Sequence, residues 1–307
     1  GVLKELIADG HEVIAVAPDD KRIDIEKAIP GLKAISIKLN KRGINPIEDL
    51  KLVRELYTLY KKENPDLIFH YTIKPNIYGS IAAKLAGKKS IAILTGLGYS
   101  FIQKSLVSKI AVALYRFSLR FSQEIWVLNE DDKNTLISKG IGDEKKIFIL
   151  PGEGTDCDRF KPLSMKRNDE KVVFLMIARA FLDKGFKEYE ESARRIRKKY
   201  GERVEFWYLG ALGENAVSGI TREYMDNIVA EGVLNYLGTV DRPEEIIKEC
   251  DAIVLPSYRE GISKTLLEGA AMGKPIIASN VTGCKEIVEN GKIGFLVEVK
   301  NIEDLVR

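Results

Sequence analysis

Two wholly apolar runs, Ala252-Ile253-Val254-Leu255 and Ile276-Ile277-Ala278, bracket a stretch with room for one loop and one short helix. Runs of this length without polar alternation suit strands buried on both faces, and two such strands joined through a helix lie parallel. Pro256 ends the first run and Pro275 opens the second. Between them Ser263 is placed to N-cap a helix and Gly273 to stop it, while Gly269, Ala270 and Ala271 let it lie close on a sheet. The helix therefore begins just beyond the carboxyl end of a strand. That edge is where open parallel sheets bind ligands and where free backbone amides attract phosphate.

Two carboxylates frame the helix start, Glu260 in the loop before it and Glu268 about one turn inside it. The intervening Gly261, Ile262, Ser263, Lys264, Thr265 and Leu266 form the approach and first turn, and the amides of Ser263 to Leu266 are expected to point outward. A matching ligand offers hydroxyls to both carboxylates and an anion between them. A sugar, a diphosphate and a ribose meet that description together, as a nucleotide sugar. Two glutamates at this interval are surface charges in most sequences, so the strand end is what gives them weight.

The same alternation runs through the chain. A helix over Gly1 to Gly10 and a strand Glu12 to Pro18 come first. Strands follow near Ala34 to Leu39, Leu67 to His70, Ser90 to Leu94 and Glu124 to Leu128, separated by helices Pro46 to Lys62, Pro75 to Ala86 and Gln103 to Phe121. A polar break rich in Gly and Pro, Leu150 to Asp156, then precedes a restart: strand Val172 to Ala178, helix Phe186 to Tyr200, strands Val204 to Gly210 and Val233 to Gly238. The expected organisation is α/β, two Rossmann-like doubly wound domains facing a cleft, divided as 1–155 and 156–307. A length of 307 residues accommodates two such cores. The opening strand and glycine-rich turn of a Rossmann domain are not found before the first helix. A helical pattern begins at Ile302 and reaches Arg307, so the chain reads as a fragment lacking both ends.

Net charge is +3, which argues against nucleic acid as the main partner. Cys157, Cys250 and Cys284 stand in no ligand spacing and read as reduced thiols of a cytoplasmic protein. No apolar run is long enough for a transmembrane helix.

In the first half, Lys74 and Asn76 lie where a strand end enters a helix, at an edge expected to face a ligand. Thr95, Gly96 and Gly98 leave the next strand with glycines that permit close backbone approach. His70 reads as a satisfied histidine at a strand end. The helix Gln103 to Phe121 mixes Lys104, Lys109, Arg116 and Arg120 with Leu106, Ile110, Leu114 and Phe117, a pattern suited either to anionic lipid or to a solvated basic face. In the second half, Arg179 and Lys184 occupy the loop after a buried strand. Thr282 to Glu286 is expected to open a helix beside Glu260, with Cys284 as a packing residue.

The stretch from Leu255-Pro256-Ser257 through Glu260-Gly261 to Glu268 resembles the E-x7-E signature of family-four retaining glycosyltransferases, which have the GT-B fold. Pro151-Gly152-Glu153-Gly154 resembles that family's inter-domain hinge. The segments Thr72-Ile73-Lys74-Pro75-Asn76 and Thr95-Gly96-Leu97-Gly98 resemble acceptor-side segments of its bacterial surface-polysaccharide members. The resemblance implies that Glu260 lies at the donor sugar and reaction centre, that Glu268 binds the ribose, and that Arg179 and Lys184 hold the diphosphate. It places Gly238, Thr239 and Val240 at the nucleobase, and Lys74, Asn76, Thr95, Gly96 and Gly98 on the acceptor side. Many relatives carry a histidine where this chain has Thr95-Gly96, so a histidine role does not transfer.

The resemblance thus implies a retaining, metal-independent hexosyltransferase using a UDP-linked sugar and no cofactor. Its acceptor would be an undecaprenyl-diphosphate-linked glycan or polysaccharide, and its work surface-glycan synthesis in the cytoplasm at the inner membrane. Two alternatives stay open: a nucleotide-sugar 2-epimerase of related fold, and a non-catalytic sugar-nucleotide-binding subunit.

Overall fold

The computed structural model describes residues 1–18, 25–40, 45–97, 106–150, 152, 154–162, 171–214, 216 and 218–307. The chain divides into two compact units, Gly1–Glu153 and Gly154–Arg307.

The first unit opens with α1 (Val2–Ala8), β1 (Val13–Pro18), α2 (Ile25–Ala28) and β2 (Leu32–Ile37), and β1 pairs with β2 in parallel. Then come α3 (Pro46–Glu63), β3 (Leu67–Tyr71), α4 (Ser80–Ala86), β4 (Lys89–Leu94), α5 (Leu106–Ser118), β5 (Glu124–Val127), α6 (Glu130–Ser138) and β6 (Ile147–Ile149). Strands β3 to β6 form a separate parallel sheet in chain order. Their alternate residues Ala92, Leu94, Ile125, Val127 and Ile147 join Ile77, Tyr115, Leu119 and Leu136 in one core. The Asn45 side chain accepts from the Ile47 amide at 3.0 Å, which caps α3, and Asn64 ends it in the left-handed region.

Two helices differ from expectation. The segment Pro75–Gly79 is a π-helical turn that leads into α4, because Asn76 is turned inward, where its amide donates to the Ile93 carbonyl at 2.9 Å. The helix expected over Gln103 to Phe121 is α-helical over Leu106–Ser118 and tightens to a 3-10 turn over Leu119–Phe121; residues 103–105, Lys104 among them, lie outside the described residues.

The second unit contains β7 (Val172–Ile177), α7 (Phe186–Tyr200), β8 (Val204–Leu209), α8 (Arg222–Ala230), β9 (Asn235–Tyr236) and α9 (Pro243–Ile247). It continues with β10 (Ala252–Leu255), α10 (Lys264–Ala271), β11 (Ile276–Ser279), β12 (Gly294–Val297) and α11 (Ile302–Val306). One parallel sheet runs in the order β12-β11-β10-β7-β8-β9. Its core packs Leu175, Met176, Phe206, Tyr208, Ile253 and Ile276 against Phe186, Tyr189 and Leu266. Full burial of one large apolar side chain stabilises by about 1.5–3 kcal/mol, so this cluster fixes the strand ends firmly.

Strand β9 is shorter than the expected Val233 to Gly238. Val233 and Leu234 are buried but precede the ladder, and Gly238, at φ 70°, turns the chain out of it. Thr282 to Glu286 is not a helix. Gly283 at φ 84° interrupts the helical path, leaving turns in which Lys285 bonds back to Val281 and Ile287 to Cys284.

Candidate active site

Because the second sheet is parallel, every loop that follows a strand leaves from the same edge. Strands β7 and β10 are neighbours although two strands of the other wing separate them in sequence, so strand order reverses between them. Ligands of open α/β sheets bind at such a reversal. The loop after β7 carries Arg179 and Lys184, the loop after β10 carries Glu260, and the loop after β11 carries Gly283.

Backbone contacts stitch these loops together. The Tyr258 amide and the Ser257 hydroxyl both donate to the Asp183 carbonyl, at 2.9 and 3.3 Å. Gly185, at φ 79°, faces the Pro256 carbonyl so closely that a Cβ would sit 2.1 Å from its oxygen. On the other side the Glu260 amide donates to the Thr282 carbonyl and the Ser263 amide to the Gly283 carbonyl, at 2.9 and 3.0 Å. A Cβ on Gly283 would lie 2.4 Å from that of Glu260. The Glu286 carboxylate accepts from the Gly283 amide at 2.6 Å and holds this turn in place.

Glu260 and Lys184 meet within this frame. The ammonium donates to both carboxylate oxygens at 2.6 and 2.7 Å, and the two side chains are 17% and 15% exposed. A charge-assisted pair with little solvent around it is stronger and better fixed than a surface pair. Arg179 is exposed, with its guanidinium over the Phe181 ring at 4.9 Å, and it forms no ion pair among the described residues.

The start of α10 is built as expected in part. Ser263 is the N-cap, its hydroxyl accepting from the Leu266 amide at 3.4 Å, and Gly273, at φ 70°, follows the C-cap Met272. That cap corrects the expectation of four outward amides. Ser263 and Leu266 spend theirs inside the protein, Leu266 is fully buried, and the Lys264 and Thr265 amides carry no bond among the described residues. The Thr265 hydroxyl donates to the Ile177 carbonyl at 3.3 Å, tying the helix to the end of β7.

Glu268 is 8% exposed, with the Lys264 ammonium 3.8 Å away. Burial raises its pKa above the usual carboxylate range, while Lys264 and Arg159 pull the other way. Arg159 pairs with Glu244 at 2.7 Å and holds the Glu244 carboxyl down to about 2. Arg159 carried no marker in the sequence, since its partner lies 85 residues away.

Gly238, Thr239 and Val240 form the loop after β9, with Thr239 and Val240 exposed. Gly238 accepts from the Gly210 amide at 2.7 Å, and Gly210 packs on the Ala178 carbonyl, where a Cβ would come within 1.8 Å. The structure thus brings this loop, through Gly210, to the strand end that carries Arg179. Gly261 and Ile262 are half-buried between Glu260 and the cap. Cys284 is fully buried, its thiol pKa pushed up by that burial, in keeping with a packing role.

In the first unit the loops after β3 and β4 leave adjacent strands, so Lys74 and Thr95-Gly96 share one sheet edge. Thr72, just past β3, sits at φ 69°, an uncommon conformation for a β-branched residue. Lys74 pairs with Asp49 at 2.6 Å, and Asp49 also accepts from the Tyr78 hydroxyl at 2.7 Å. Asn76 departs from expectation: it is buried against β4 and faces no ligand edge. Thr95 is exposed and Gly96 adopts φ 126°, while Gly98 lies outside the described residues. His70 is buried, with Tyr60 Oη 3.0 Å from Nε2, and is a satisfied core histidine. Among the described residues no group of three or more His, Cys, Asp or Glu could hold a metal ion, and no helix is long and apolar enough to cross a membrane.

Residues 159–307 match the family described as Glycosyl transferases group 1, and residues 2–129 match Glycosyl transferase 4-like. The chain is 31% identical over 320 residues to the N,N'-diacetylbacillosaminyl-diphospho-undecaprenol alpha-1,3-N-acetylgalactosaminyltransferase of Campylobacter jejuni, covering 99% of this chain and 82% of that one. It is 28% identical over 277 residues to the UDP-Gal:alpha-D-GlcNAc-diphosphoundecaprenol alpha-1,3-galactosyltransferase of Escherichia coli, covering 86% and 70%. The crystal structure of Anabaena HepE with UDP and glucose superposes with a TM-score of 0.74 at 18% identity, over 96% of this chain and 88% of that one. The sheet order, the Glu260 to Glu268 frame and these matches agree: the chain belongs to the group 1, family-four-like glycosyltransferases and has their GT-B fold.

Proposed function

We propose that this protein transfers a hexose or N-acetylhexosamine from a UDP-sugar to an undecaprenyl-diphosphate-linked glycan, with retention of anomeric configuration and without a metal, in surface-glycan synthesis. The observation that carries the reading is the Lys184–Glu260 pair beside the start of α10, with Glu268 inside the first turns of that helix. Glu268 would accept from the ribose hydroxyls, and the Lys264 and Thr265 amides would face the diphosphate. Arg179 and Lys184 would stabilise the charge that grows on the departing UDP more strongly in the transition state than before it. The acceptor hydroxyl would attack the anomeric carbon as its bond to the phosphate oxygen breaks, with the proton passing to that oxygen. Both oxygens of Glu260 already accept from Lys184, which favours an electrostatic and orienting role for this carboxylate over a covalent one. The Campylobacter and Escherichia relatives are named for lipid-linked acceptors, and the Anabaena structure holds UDP, which supports the same donor and acceptor classes here.

Work on a lipid-linked acceptor would bring the protein to the cytoplasmic face of the membrane. A surface on α5 supports this: Lys109, Ile110, Ala113, Arg116 and Phe117 are exposed at helical spacing, Ile110 by 53% and Phe117 by 47%. Arg120, in the 3-10 turn, lies over the Phe117 ring at 4.3 Å. Cations beside exposed apolar side chains suit an anionic lipid surface.

The test incubates the protein with UDP-N-acetylgalactosamine, UDP-galactose, UDP-N-acetylglucosamine or UDP-glucose, each with and without GlcNAc-diphospho-undecaprenol, in EDTA. Transfer from one donor with an α-linkage by NMR is expected. A C2 epimer formed without acceptor would replace the reading with the epimerase, and binding of UDP-sugars with no turnover would replace it with a binding subunit. Sedimentation with phosphatidylglycerol vesicles tests the α5 surface, and equal recovery with and without vesicles would remove it.

A further inference from the structure

The Tyr258 side chain has a place in this frame that neither the two glutamates nor the cations account for. Its hydroxyl donates to Glu188 Oε1 at 2.7 Å, and its ring lies under the Lys300 ammonium at 4.5 Å. Glu188 is nine-tenths buried in the first turn of α7, and its other carboxylate oxygen has no hydrogen-bond partner. A carboxylate in that position is favoured by the helix start, but so little solvent reaches it that each donor it retains matters. The helix that anchors it begins at Gly185, directly after Lys184.

We propose that Tyr258 is a positioning residue for glycosyl transfer: its bond to Glu188 clamps the turn that presents Glu260 against the start of α7 that presents Lys184. The proposal rests on the transferase reading given above. Lys184 and Glu260 are long side chains with many rotamers, and their two-point contact requires both backbones to be fixed. The Tyr258 amide fixes the turn at one point, on the Asp183 carbonyl. One bond leaves the turn free to pivot, and the Tyr258–Glu188 bond, 70 residues apart in sequence, supplies the second point. Misplacing a reacting group by about 1 Å can cost roughly 100-fold in rate, so loss of this bond is read in turnover more than in binding.

The experiment uses the full chain with the donor and acceptor that give turnover. Tyr258→Phe removes the donor and keeps the ring under Lys300; kcat is expected to fall about 10-fold to 100-fold while the KM for the donor stays within about 3-fold. Glu188→Gln keeps a carbonyl acceptor and is expected to retain most of the turnover, whereas Glu188→Ala should match Tyr258→Phe. The double variant should be no slower than either single one. Wild-type kcat in Tyr258→Phe, or multiplied losses in the double variant, would overturn the proposal. Glu188→Asp, which withdraws the carboxylate by one methylene, serves if Tyr258→Phe does not fold; it should lose kcat similarly, and full kcat there counts against the clamp. Amide hydrogen exchange separates this idea from the transferase reading, since it needs no turnover. In Tyr258→Phe the segment 257–261 should exchange at least about 10-fold faster with most of α7 unchanged, and unaltered exchange would sink the clamp even in an active enzyme.

Discussion

Lys184 reaches 76 residues along the sequence to place one ammonium on both oxygens of Glu260, at 2.6 and 2.7 Å. The pair leaves Arg179 as the unpaired cation of the two, so the two have different tasks on donor binding: Arg179 is available to the diphosphate, and Lys184 has to share itself with Glu260.

Arg179→Ala and Lys184→Ala should each lower kcat by about 100-fold or more, as loss of one preorganised donor commonly does. They should differ in structure: Lys184→Ala strands a largely buried Glu260 and should also lower the melting temperature, which Arg179→Ala should not. Steady-state kinetics with melting curves checks both, and near-normal turnover at saturating donor in either variant would remove that residue from the mechanism.

Glu268→Ala should weaken UDP binding by about 1.5–3 kcal/mol, the range for hydrogen bonds to a charged group. Because burial raises the Glu268 pKa, UDP affinity should fall as pH is lowered through that raised value, and Glu268→Gln should lack the dependence. Calorimetry with UDP over a pH series reads both effects.

Gly283→Ala should be damaging out of proportion to its size. The added Cβ meets the Glu260 Cβ at 2.4 Å and the Glu260 carbonyl carbon at 2.5 Å, and φ 84° adds strain for any other residue. Overpacking of this kind costs about 1–3 kcal/mol, and the relief available is a shift of Glu260 itself. A melting curve and kcat should therefore fall together, and an intact kcat would mean that the turn yields without moving the carboxylate.

His70 makes a prediction about the first unit. Burial lowers its pKa to about 4, while the unfolded chain titrates near 6.5. Between those values the unfolded state binds a proton that the folded state does not, so stability is full above about 6.5 and is lost as pH falls toward about 4. The loss should amount to roughly 3 kcal/mol. Urea denaturation at pH 7 and pH 4 should show this loss in the wild type and a smaller one in His70→Gln.

Much of the local structure was legible. Ser263 as N-cap, Gly273 as helix stop and the limits of α7 follow from residue types acting over one turn, and the structure has them as read. What escaped was set by contacts between distant segments. Asn76 looked like a ligand-facing polar residue because nothing nearby in sequence revealed the Ile93 carbonyl it satisfies. The Leu266 amide looked free because the Ser263 hydroxyl, correctly read as a cap, was not subtracted from the donors it consumes. The contact of Lys184 with Glu260, and Arg159 beside Glu268, depend on which strands become neighbours, a matter of tertiary packing. Thr282 to Glu286 passed for a helix start because the positive φ of Gly283 is a conformation the residue allows but does not announce.

The strand order of the second unit also dictates when its reactive pair can come into being. Every ladder among its described residues is parallel, so no hairpin can seed the sheet, and each pairing waits for a crossover to close. As the chain is synthesised, β7, β8 and β9 emerge first and can assemble one wing with Lys184 already in place. Glu260 arrives only when β10 docks on the opposite flank of β7 and begins the second wing. Lys184 therefore spends the early part of folding as an unneutralised cation on a half-built sheet, and its counter-charge is delivered by the docking event that makes the other half possible.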